Sequence, residues 1–335
     1  GFELEDVITE VDDVDIVRVR YPAGGSGSLV NRALRRVGRL AGLEVGRHVR
    51  IERPKLEHEY DMIFIGLTGC MHLTKYEPFI REWKDKARLV VCYIEELWKG
   101  WLGHDELIAP LASFDHVLLG CSGTVSALAD AIGRPVTYFS PAIDMDRFCP
   151  YPNAPRRTID VRSMGRRSAR THVALREWAE ETGATYLYDA NTVEVPVLRD
   201  PAAYRVHTAE VLKRSRYFLV NPAKIDRPED TGGQQEIGLR FYEGAGAGCV
   251  LVGQSPRCEA FERNFDWKDA IIEVPYDSSD VTEVLRALDS DPERVARIRV
   301  ENVAQCLERH DWVHRWFHSL GQLGMLPREA ALGRR

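Results

Sequence analysis

The sequence predicts an α/β protein with two doubly wound domains that face a cleft. Short apolar runs alternate with amphipathic helical patterns, as in parallel sheets whose strands are joined by right-handed crossovers. Most of these runs are continuously apolar, which suits strands buried on both faces. The predicted strands are residues 14–19, 62–67, 89–94, 116–119, 136–139, 159–163, 185–188, 217–220, 249–252 and 271–274.

Helical patterns lie between and after these runs. The first covers residues 29–43 and places apolar side chains on one face with arginines opposite, which is the pattern of a helix packed on a sheet. Two helical segments close the chain, and the last carries Trp312, Trp316 and Phe317, which need a surface to pack against. The remaining predicted helices are residues 173–181, 203–214, 281–288, 292–307 and 311–320.

A chain of 335 residues is long enough for two domains. Prolines 141, 150, 152 and 155 crowd one stretch, and proline interrupts both helices and strand ladders. Residues 141–157 are therefore predicted to connect the domains. We assign residues 1–145 to the first Rossmann-like domain, 146–310 to the second, and 311–335 to a helical segment that packs back on the first.

The composition excludes several classes of protein. A net charge of −6 argues against a nucleic-acid binder, because phosphate-backbone binding needs a basic surface. None of the seven cysteines forms a C-x-x-C pair, so buried thiols in a reducing compartment are expected. No apolar run reaches the ~20 residues of a membrane span, and no signal peptide pattern is visible. We expect a cytoplasmic protein.

The loops after the strands are the candidate binding loops, because ligands of doubly wound sheets bind beyond the carboxyl ends of strands. The first such loop contains Gly24, Gly25 and Gly27 ahead of a predicted helix. Glycine permits a close backbone approach, and a helix N-terminus favours an anion. The spacing does not match G-x-G-x-x-G, however, and a strand–helix turn capped by Ser28 explains the loop equally well.

Two further loops of the first half carry polar side chains. His72 follows the strand at 62–67 and is a candidate general base or hydroxyl partner, although a lone histidine is more often structural. Glu95 and Glu96 follow the next strand, and neighbouring carboxylates point in different directions. Trp98 and Trp101 nearby suit either a sugar-stacking face or a solvated loop.

The second half offers cations at strand ends. Gly165, Arg166 and Arg167 follow the strand at 159–163, and arginine presents a planar fork of donors that matches phosphate oxygens. This loop is predicted to hold a diphosphate, with an exposed basic loop as the alternative. Lys224 follows the strand at 217–220 and is either a second cation for the same ligand or a surface charge.

The most informative stretch is residues 236–252. A helix is predicted to start near Gln235 or Glu236, which places Glu236 and Glu243 about two turns apart on one side. One carboxylate can accept hydrogen bonds from both hydroxyls of a ribose. The small residues 244–248 are expected to let the helix pack closely on the sheet.

Three segments resemble one protein family. Residues 240–252 are similar to its motif of an acidic helix, small residues, glycine and an apolar strand. Residues 141–150 resemble its inter-domain segment, and residues 163–166 resemble the strand and Gly-Arg that open its donor domain. The family is that of the group 1 glycosyltransferases of GT-B fold, in the branch of spore-maturation-like proteins. The resemblance in sequence covers residues 115–320, whereas the N-terminal third is similar only in its predicted architecture.

The resemblance implies a nucleotide diphosphate sugar in the inter-domain cleft, an acceptor on the first domain, no metal, no other cofactor, and retention of configuration. Arg166 and Lys224 would face the diphosphate, and Glu243 would hold the ribose. Gly238 and Arg240 would lie near the sugar or the phosphates. His72 and Glu236 are the candidate catalytic residues, although the family's two glutamates are separated by seven residues and Glu236 and Glu243 by six.

Two alternatives remain open. A nucleotide-sugar epimerase of the same fold would use His72 with Glu95 or Glu96 as acid and base. A sugar-nucleotide-binding protein without turnover would need only the binding residues. Two D-x-D patterns, at residues 13–15 and 144–146, do not follow strands beside the expected phosphates, and we predict no metal role for them.

Overall fold

The protein contains two parallel sheets. The computed structural model describes residues 2–17, 56–189 and 200–326. Within these ranges, the first sheet has four strands in the order β1-β2-β3-β4, all parallel. Its strands are β1 (Tyr60–Gly69), β2 (Ala87–Glu96), β3 (His116–Leu119) and β4 (Val136–Tyr138).

Helices cover both faces of the first sheet. One face packs against the helices that connect its strands, with Leu73, Leu111 and Leu128 in the shared core. The other face packs against the helix that opens the chain and a helix from its far end. The helices of this half are α1 (Phe2–Val11), α2 (Leu73–Lys84), α3 (Asp105–Ile108) and α4 (Val125–Ile132).

The second sheet has five parallel strands in the order β6-β5-β7-β8-β9. Strands β5 and β7 are neighbours, so the loops at their carboxyl ends emerge side by side. The strands are β5 (Ile159–Ser163), β6 (Tyr186–Tyr188), β7 (Ser215–Val220), β8 (Val250–Gly253) and β9 (Ile272–Glu273).

Helices of the second half again form two layers. Phe218 and Leu251 on one face of the sheet share a core with Phe241. Val161 and Tyr217 on the other face pack against Leu175 and Leu285. The helices are α5 (Met145–Phe148), α6 (Ala169–Thr182), α7 (Pro201–Lys213), α8 (Pro228–Thr231), α9 (Leu239–Gly246), α10 (Glu259–Asn264), α11 (Val281–Asp289), α12 (Pro292–Arg309) and α13 (Trp312–Gln322).

The segment between the sheets runs from the end of β4 to the start of β5. Asp144 caps the short helix α5 by accepting a hydrogen bond from the Asp146 N–H at 3.2 Å. Next to it, Ile143 forms an isolated parallel bridge with Asp311, with backbone hydrogen bonds of 3.1 and 3.0 Å on its two sides. The chain therefore crosses from the first sheet to the second near Ile143 and back near Asp311, and the two crossing segments are adjacent.

Helix α13 packs on the first sheet although it closes the chain. Trp312, Trp316 and Leu320 are buried with Phe64 of β1 and Val7 of α1. The Trp316 ring meets Phe64 edge to face at 5.5 Å between centroids. The last described helix is thus part of the core of the first sheet.

Close packing of α9 on the second sheet follows from its glycines, as the sequence predicts. A Cβ atom at Gly244 would lie 2.5 Å from both Leu251 and Phe218, which is far inside van der Waals contact. A Cβ at Gly246 would lie 2.2 Å from Ile143. Larger side chains would push α9 away from the sheet and from the inter-sheet segment.

One predicted strand is wrong in the part that the structure describes. Residues 14–17 are irregular, and Val14, Ile16 and Val17 are 36–42% exposed. Apolar β-branched residues form a strand only where a neighbouring strand and a core receive them. The predicted helix at 29–43 and the loop with Gly24, Gly25 and Gly27 lie outside the described residues. Among the described helices, none is long and apolar enough to cross a bilayer.

Because α13 is part of the core of the first sheet, one substitution on this helix should lower the stability strongly. Trp316→Ala should lower the free energy of unfolding by about 3–5 kcal/mol, because it removes a buried indole from the core of the first sheet. His318 on the same helix is exposed, and His318→Ala should change the free energy by less than about 0.5 kcal/mol. Urea unfolding of both variants tests this; equal losses would show that α13 does not stabilise the sheet.

Candidate functional site

The loop after β5 carries the predicted arginines. Gly165 has φ of +73°, in the left-handed region that glycine tolerates best, and turns the chain away from the strand. Arg166 reaches from this turn to Asp226 and donates to its two carboxylate oxygens at 3.0 and 3.2 Å. Both side chains are 36% exposed, so this ion pair remains open to solvent and to ligands.

The neighbouring arginines hold the loop in place. Arg162 is buried and pairs with Asp189 at 2.5 Å, while the Gly165 N–H donates to the same carboxylate at 3.2 Å. Arg167 donates to the Asp189 carbonyl at 2.8 Å. Asp189 therefore organises the loop that carries Arg166, and Arg166 is the arginine of this loop that points to the loop after β7.

Lys224 lies in that second loop and reaches the other domain. Its ammonium is 2.7 Å from a carboxylate oxygen of Glu96, at the end of β2. It also lies 5.4 and 5.0 Å from the ring centroids of Trp98 and Trp101, within the range of cation–π attraction. Of the two sequence interpretations of Lys224, a plain surface charge does not describe a side chain enclosed by an acid and two indoles.

Glu236 contacts the first domain through both carboxylate oxygens. It accepts hydrogen bonds from the Gly123 N–H at 2.7 Å, the Ser122 hydroxyl at 2.8 Å and the Gln234 amide at 2.6 Å. Ser122 and Gly123 precede α4, where N–H groups lack partners within the helix. Glu236 thus caps a turn of the first domain from the second.

The predicted helix start at Gln235 or Glu236 is wrong. Helix α9 begins at Leu239 with Gly238 as its N-cap, and the Glu236 carbonyl accepts from the Ala223 N–H at 3.1 Å instead of continuing a helix. Glu236 and Glu243 consequently do not share a helix face. The hydrogen bond between Ala223 and Glu236 closes the loop 221–238. The Glu236 side chain lies on the side of this loop that faces the first domain.

Glu243 is fully buried between two arginines. Arg240, one turn earlier on α9, donates to one carboxylate oxygen at 2.5 Å, and Arg205 of α7 donates to the other. Burial alone would raise the pKa of Glu243, but Arg240 and Arg205 outweigh it and lower the pKa. The carboxylate is therefore held as an anion.

Arg205 is a residue that the sequence did not single out. It also pairs with Glu3 of α1, and Glu3 accepts the Asp144 N–H at 2.5 Å. Burial raises the pKa of Glu3 in spite of this arginine. An arginine on a helix between two strands gives no sequence signal, because its partners are 202 and 38 positions away.

Glu95 stands beside this network. It follows Val91 and Tyr93 on the same face of β2, since strand side chains alternate between faces. Burial raises the pKa of its carboxyl, and the carboxylates of Glu96 and Glu243 raise it further. The two adjacent glutamates thus lie in different surroundings: Glu96 pairs with Lys224, and Glu95 borders Glu243.

The remaining predicted residues are placed in part. His72 ends a 3-10 turn, Cys70–His72, directly after β1, at the carboxyl edge of the first sheet; its side chain is not among those described. Of the two D-x-D patterns, Asp15 accepts the Tyr60 hydroxyl at 3.0 Å and Asp144 caps α5. In the described ranges, no three His, Cys, Asp or Glu side chains are grouped to hold a metal ion.

Comparison with protein families gives a match in the second half of the chain. Residues 156–320 match the family described as "Glycosyl transferase-like". The matched region spans just under half of the chain and contains all five strands of the second sheet. Comparison with curated proteins gave no match.

Comparison with solved structures covers both halves. The chain is similar to HepE of Anabaena in complex with UDP and glucose, at 12% identity and a TM-score of 0.54, over 91% of this chain and 84% of HepE. A second HepE structure, in complex with UDP-glucose, matches at 12% identity and a TM-score of 0.50, over 79% of this chain and 78% of HepE. TarM matches at 10% identity and a TM-score of 0.49, over 78% of this chain and 54% of TarM. The likeness to HepE shows the predicted fold, two parallel α/β domains of GT-B type.

The buried network predicts a pH-dependent loss of stability. Glu243→Gln should lower the free energy of unfolding by about 3 kcal/mol at pH 7, because it leaves Arg240 without its anion and Arg205 with Glu3 as its remaining carboxylate. The pKa of Glu243 is below its ordinary 4.5 in the folded protein. Its contribution is therefore present above pH 4.5 and is lost as the pH falls through the folded value.

The measurement is urea unfolding of wild type and variant from pH 7 to pH 3.5. Glu210→Gln on α7 is the control, since Glu210 pairs with Lys213 and Arg214 while 47% exposed, and should cost less than about 1 kcal/mol. A difference between wild type and Glu243→Gln that does not shrink in acid would contradict the ion-pair account.

Proposed function

We propose that the protein is a glycosyltransferase that moves a sugar from a nucleotide diphosphate sugar to an acceptor hydroxyl. The observation that carries this proposal is the pair of cations, Arg166 and Lys224, on adjacent loops at the carboxyl edge of a glycosyl transferase-like domain. In the reaction the bond from the sugar C1 to the diphosphate breaks, and a bond from C1 to the acceptor oxygen forms.

The donor diphosphate would bind between these two loops. Arg166 now donates from one guanidinium nitrogen to both oxygens of Asp226, and the planar guanidinium can present two parallel donors to a phosphate. Lys224 would add a point charge. Two cations can stabilise the charge that develops on a departing diphosphate, so we propose transfer without a divalent metal.

The donor ribose would approach Glu243 from the side of Arg240. The Glu243 carboxylate is fully buried, while the Arg240 side chain is 33% exposed, so Arg240 is the partner that a ligand can displace or join. Arg205 would keep the opposite oxygen fixed. Gly238 would lie near the sugar or the phosphates at the N-terminus of α9; a Cβ added there would be in ordinary contact with the Asn221 carbonyl at 3.7 Å.

The acceptor would bind at the carboxyl edge of the first sheet. His72 follows β1 and Glu95 lies near the end of the neighbouring strand β2, and either residue type can hydrogen-bond a hydroxyl. We retain His72 as the proposed catalytic residue of this half. For Glu236, its three hydrogen bonds support a role in holding the donor loop against the first domain rather than contact with the sugar. Retention of configuration stays part of the proposal.

The HepE structures that resemble this chain hold UDP or UDP-glucose, which makes uridine nucleotides the first ligands to test. UDP-sugars should release UDP when an acceptor is supplied. Incubation without an acceptor separates the alternatives: an epimerized nucleotide sugar would support an epimerase, and binding without any turnover would support a binding protein.

Arg166→Ala should weaken the binding of UDP about tenfold or more and leave the binding of uridine unchanged. A charge-assisted hydrogen bond contributes about 1.5–3 kcal/mol, and only the diphosphate makes it. Calorimetry with both ligands is the measurement. Arg170→Ala, on the first turn of α6, is the control because Arg170 is exposed and bonds Ser279. Equal weakening of UDP and uridine would place Arg166 away from the phosphates.

Activity should survive removal of divalent metal. With the identified donor and acceptor, the initial rate in excess chelator should remain within about twofold of the untreated rate, because Arg166 and Lys224 supply the positive charge. The measurement is the rate of nucleotide release with and without chelator. A complete loss that added Mg²⁺ or Mn²⁺ restores would refute the proposed metal independence.

A further inference from the structure

Both proposed phosphate cations are paired with a carboxylate. Arg166 holds Asp226 through two hydrogen bonds of 3.0 and 3.2 Å, and Lys224 holds Glu96 at 2.7 Å. Asp226 lies two residues after Lys224 on the same loop, whereas Glu96 belongs to the other domain. Each cation that would receive a phosphate therefore already has an anion at the place where a phosphate oxygen would bind.

These two pairs differ from the other ion pairs of the cleft in their exposure. The side chains of Arg166 and Asp226 are each 36% exposed, and in the second pair the carboxylate of Glu96 is 38% exposed against 18% for Lys224. The carboxylate of Glu243, between Arg205 and Arg240, is fully buried. Exposed pairs are weak because water competes for both partners, so they can be exchanged without unfolding the loop.

We propose that Asp226 and Glu96 are exchangeable anions that occupy the two phosphate cations and are displaced by the diphosphate of the ligand. The inference rests on the proposed function, since it concerns the same cations. A diphosphate has two phosphoryl groups and can present one to each cation, whereas a monophosphate has a single group to place between them. The two carboxylates thus make the site favour nucleoside diphosphates over nucleoside monophosphates.

The surrounding contacts keep the cations in place during the exchange. The Gly165 N–H is bound to Asp189, which fixes the turn that carries Arg166. The Lys224 ammonium lies near the rings of Trp98 and Trp101, which attract a cation but offer no charge that competes with phosphate. The carboxylates can leave while the cations remain where a ligand needs them.

The test is to remove one carboxylate and measure the affinity of phosphate ligands. Asp226→Asn should tighten the binding of UDP and of inorganic pyrophosphate about three- to tenfold, because the ligand no longer has to break an exposed ion pair. The binding of uridine should not change. Glu96→Gln should act in the same direction at Lys224. Calorimetry at fixed ionic strength, with UDP, UMP, uridine and pyrophosphate as probes, measures all four affinities.

A matched control separates this from a general change of charge. Asp230 lies on the same loop, is 39% exposed and is 3.8 Å from its nearest cation, Arg227. Asp230→Asn removes the same charge and should change each affinity by less than about 1.5-fold. Equal tightening by Asp226→Asn and Asp230→Asn would overturn the inference, because it would show a long-range field effect only.

Two further outcomes would also overturn it. If Asp226→Asn binds UDP with unchanged affinity, the Arg166–Asp226 ion pair does not oppose ligand binding. If it binds UDP more weakly, Asp226 orients Arg166 instead of competing with the ligand for it. In both cases UDP still binds, so the proposed function stands. If none of UDP, ADP and GDP binds the wild-type protein, the proposed function and this inference fail together. Thermal unfolding of each variant confirms that the fold is retained.

Discussion

The arrangement of the cleft depends on one buried guanidinium. Arg205 lies between Glu3 of α1 and Glu243 of α9, and the two carboxylates outweigh the effect of burial and raise its pKa. A buried charge without partners costs several kcal/mol, so the three helices α1, α7 and α9 must stay where these groups meet. Because α1 packs on the first sheet and the other two on the second, this interaction fixes one domain against the other at the base of the cleft.

A second set of contacts joins the domains at the mouth of the cleft. The loop 221–238 reaches across with Lys224, Gln234 and Glu236, and Gln234 accepts hydrogen bonds from the Lys99 N–H and the Thr124 hydroxyl at 2.9 and 3.0 Å. These contacts are hydrogen bonds and one ion pair, of which the Lys99–Gln234 bond is exposed and those of Glu236 involve a buried carboxylate. The two domains are thus joined by the buried charges around Arg205 and by the polar contacts of this loop.

The sequence predicted the fold well because strand periodicity is a local property. Nine of its ten apolar runs coincide with β1 to β9, with ends shifted by at most three residues. The prediction failed at residues 14–17, where a strand would need a neighbour that local sequence does not specify. The start of α9 was also misplaced, because the Glu236 carbonyl bonds Ala223, thirteen positions earlier, rather than the next turn of a helix.

The candidate site was predictable only in residue type and approximate position. Glycine with arginine after a strand, and a glutamate on a short helix, identified Arg166 and Glu243 as polar groups at the cleft. Their partners Asp226 and Arg205 could not be predicted from the sequence, since these pairs form between residues that are far apart along the chain. The burial of Glu243 likewise follows from tertiary packing. A substitution of Glu243 is therefore expected to change the stability of the protein as well as ligand binding.

The double passage of the chain between the sheets has a mechanical consequence. The segment at Ile143 and the segment at Asp311 run side by side and are tied by backbone hydrogen bonds. Two parallel connections bonded to each other resist twisting and stretching far more than one flexible linker. The two bonded connections therefore act together with the buried ion pairs of Arg205 to limit how far the domains can rotate relative to each other.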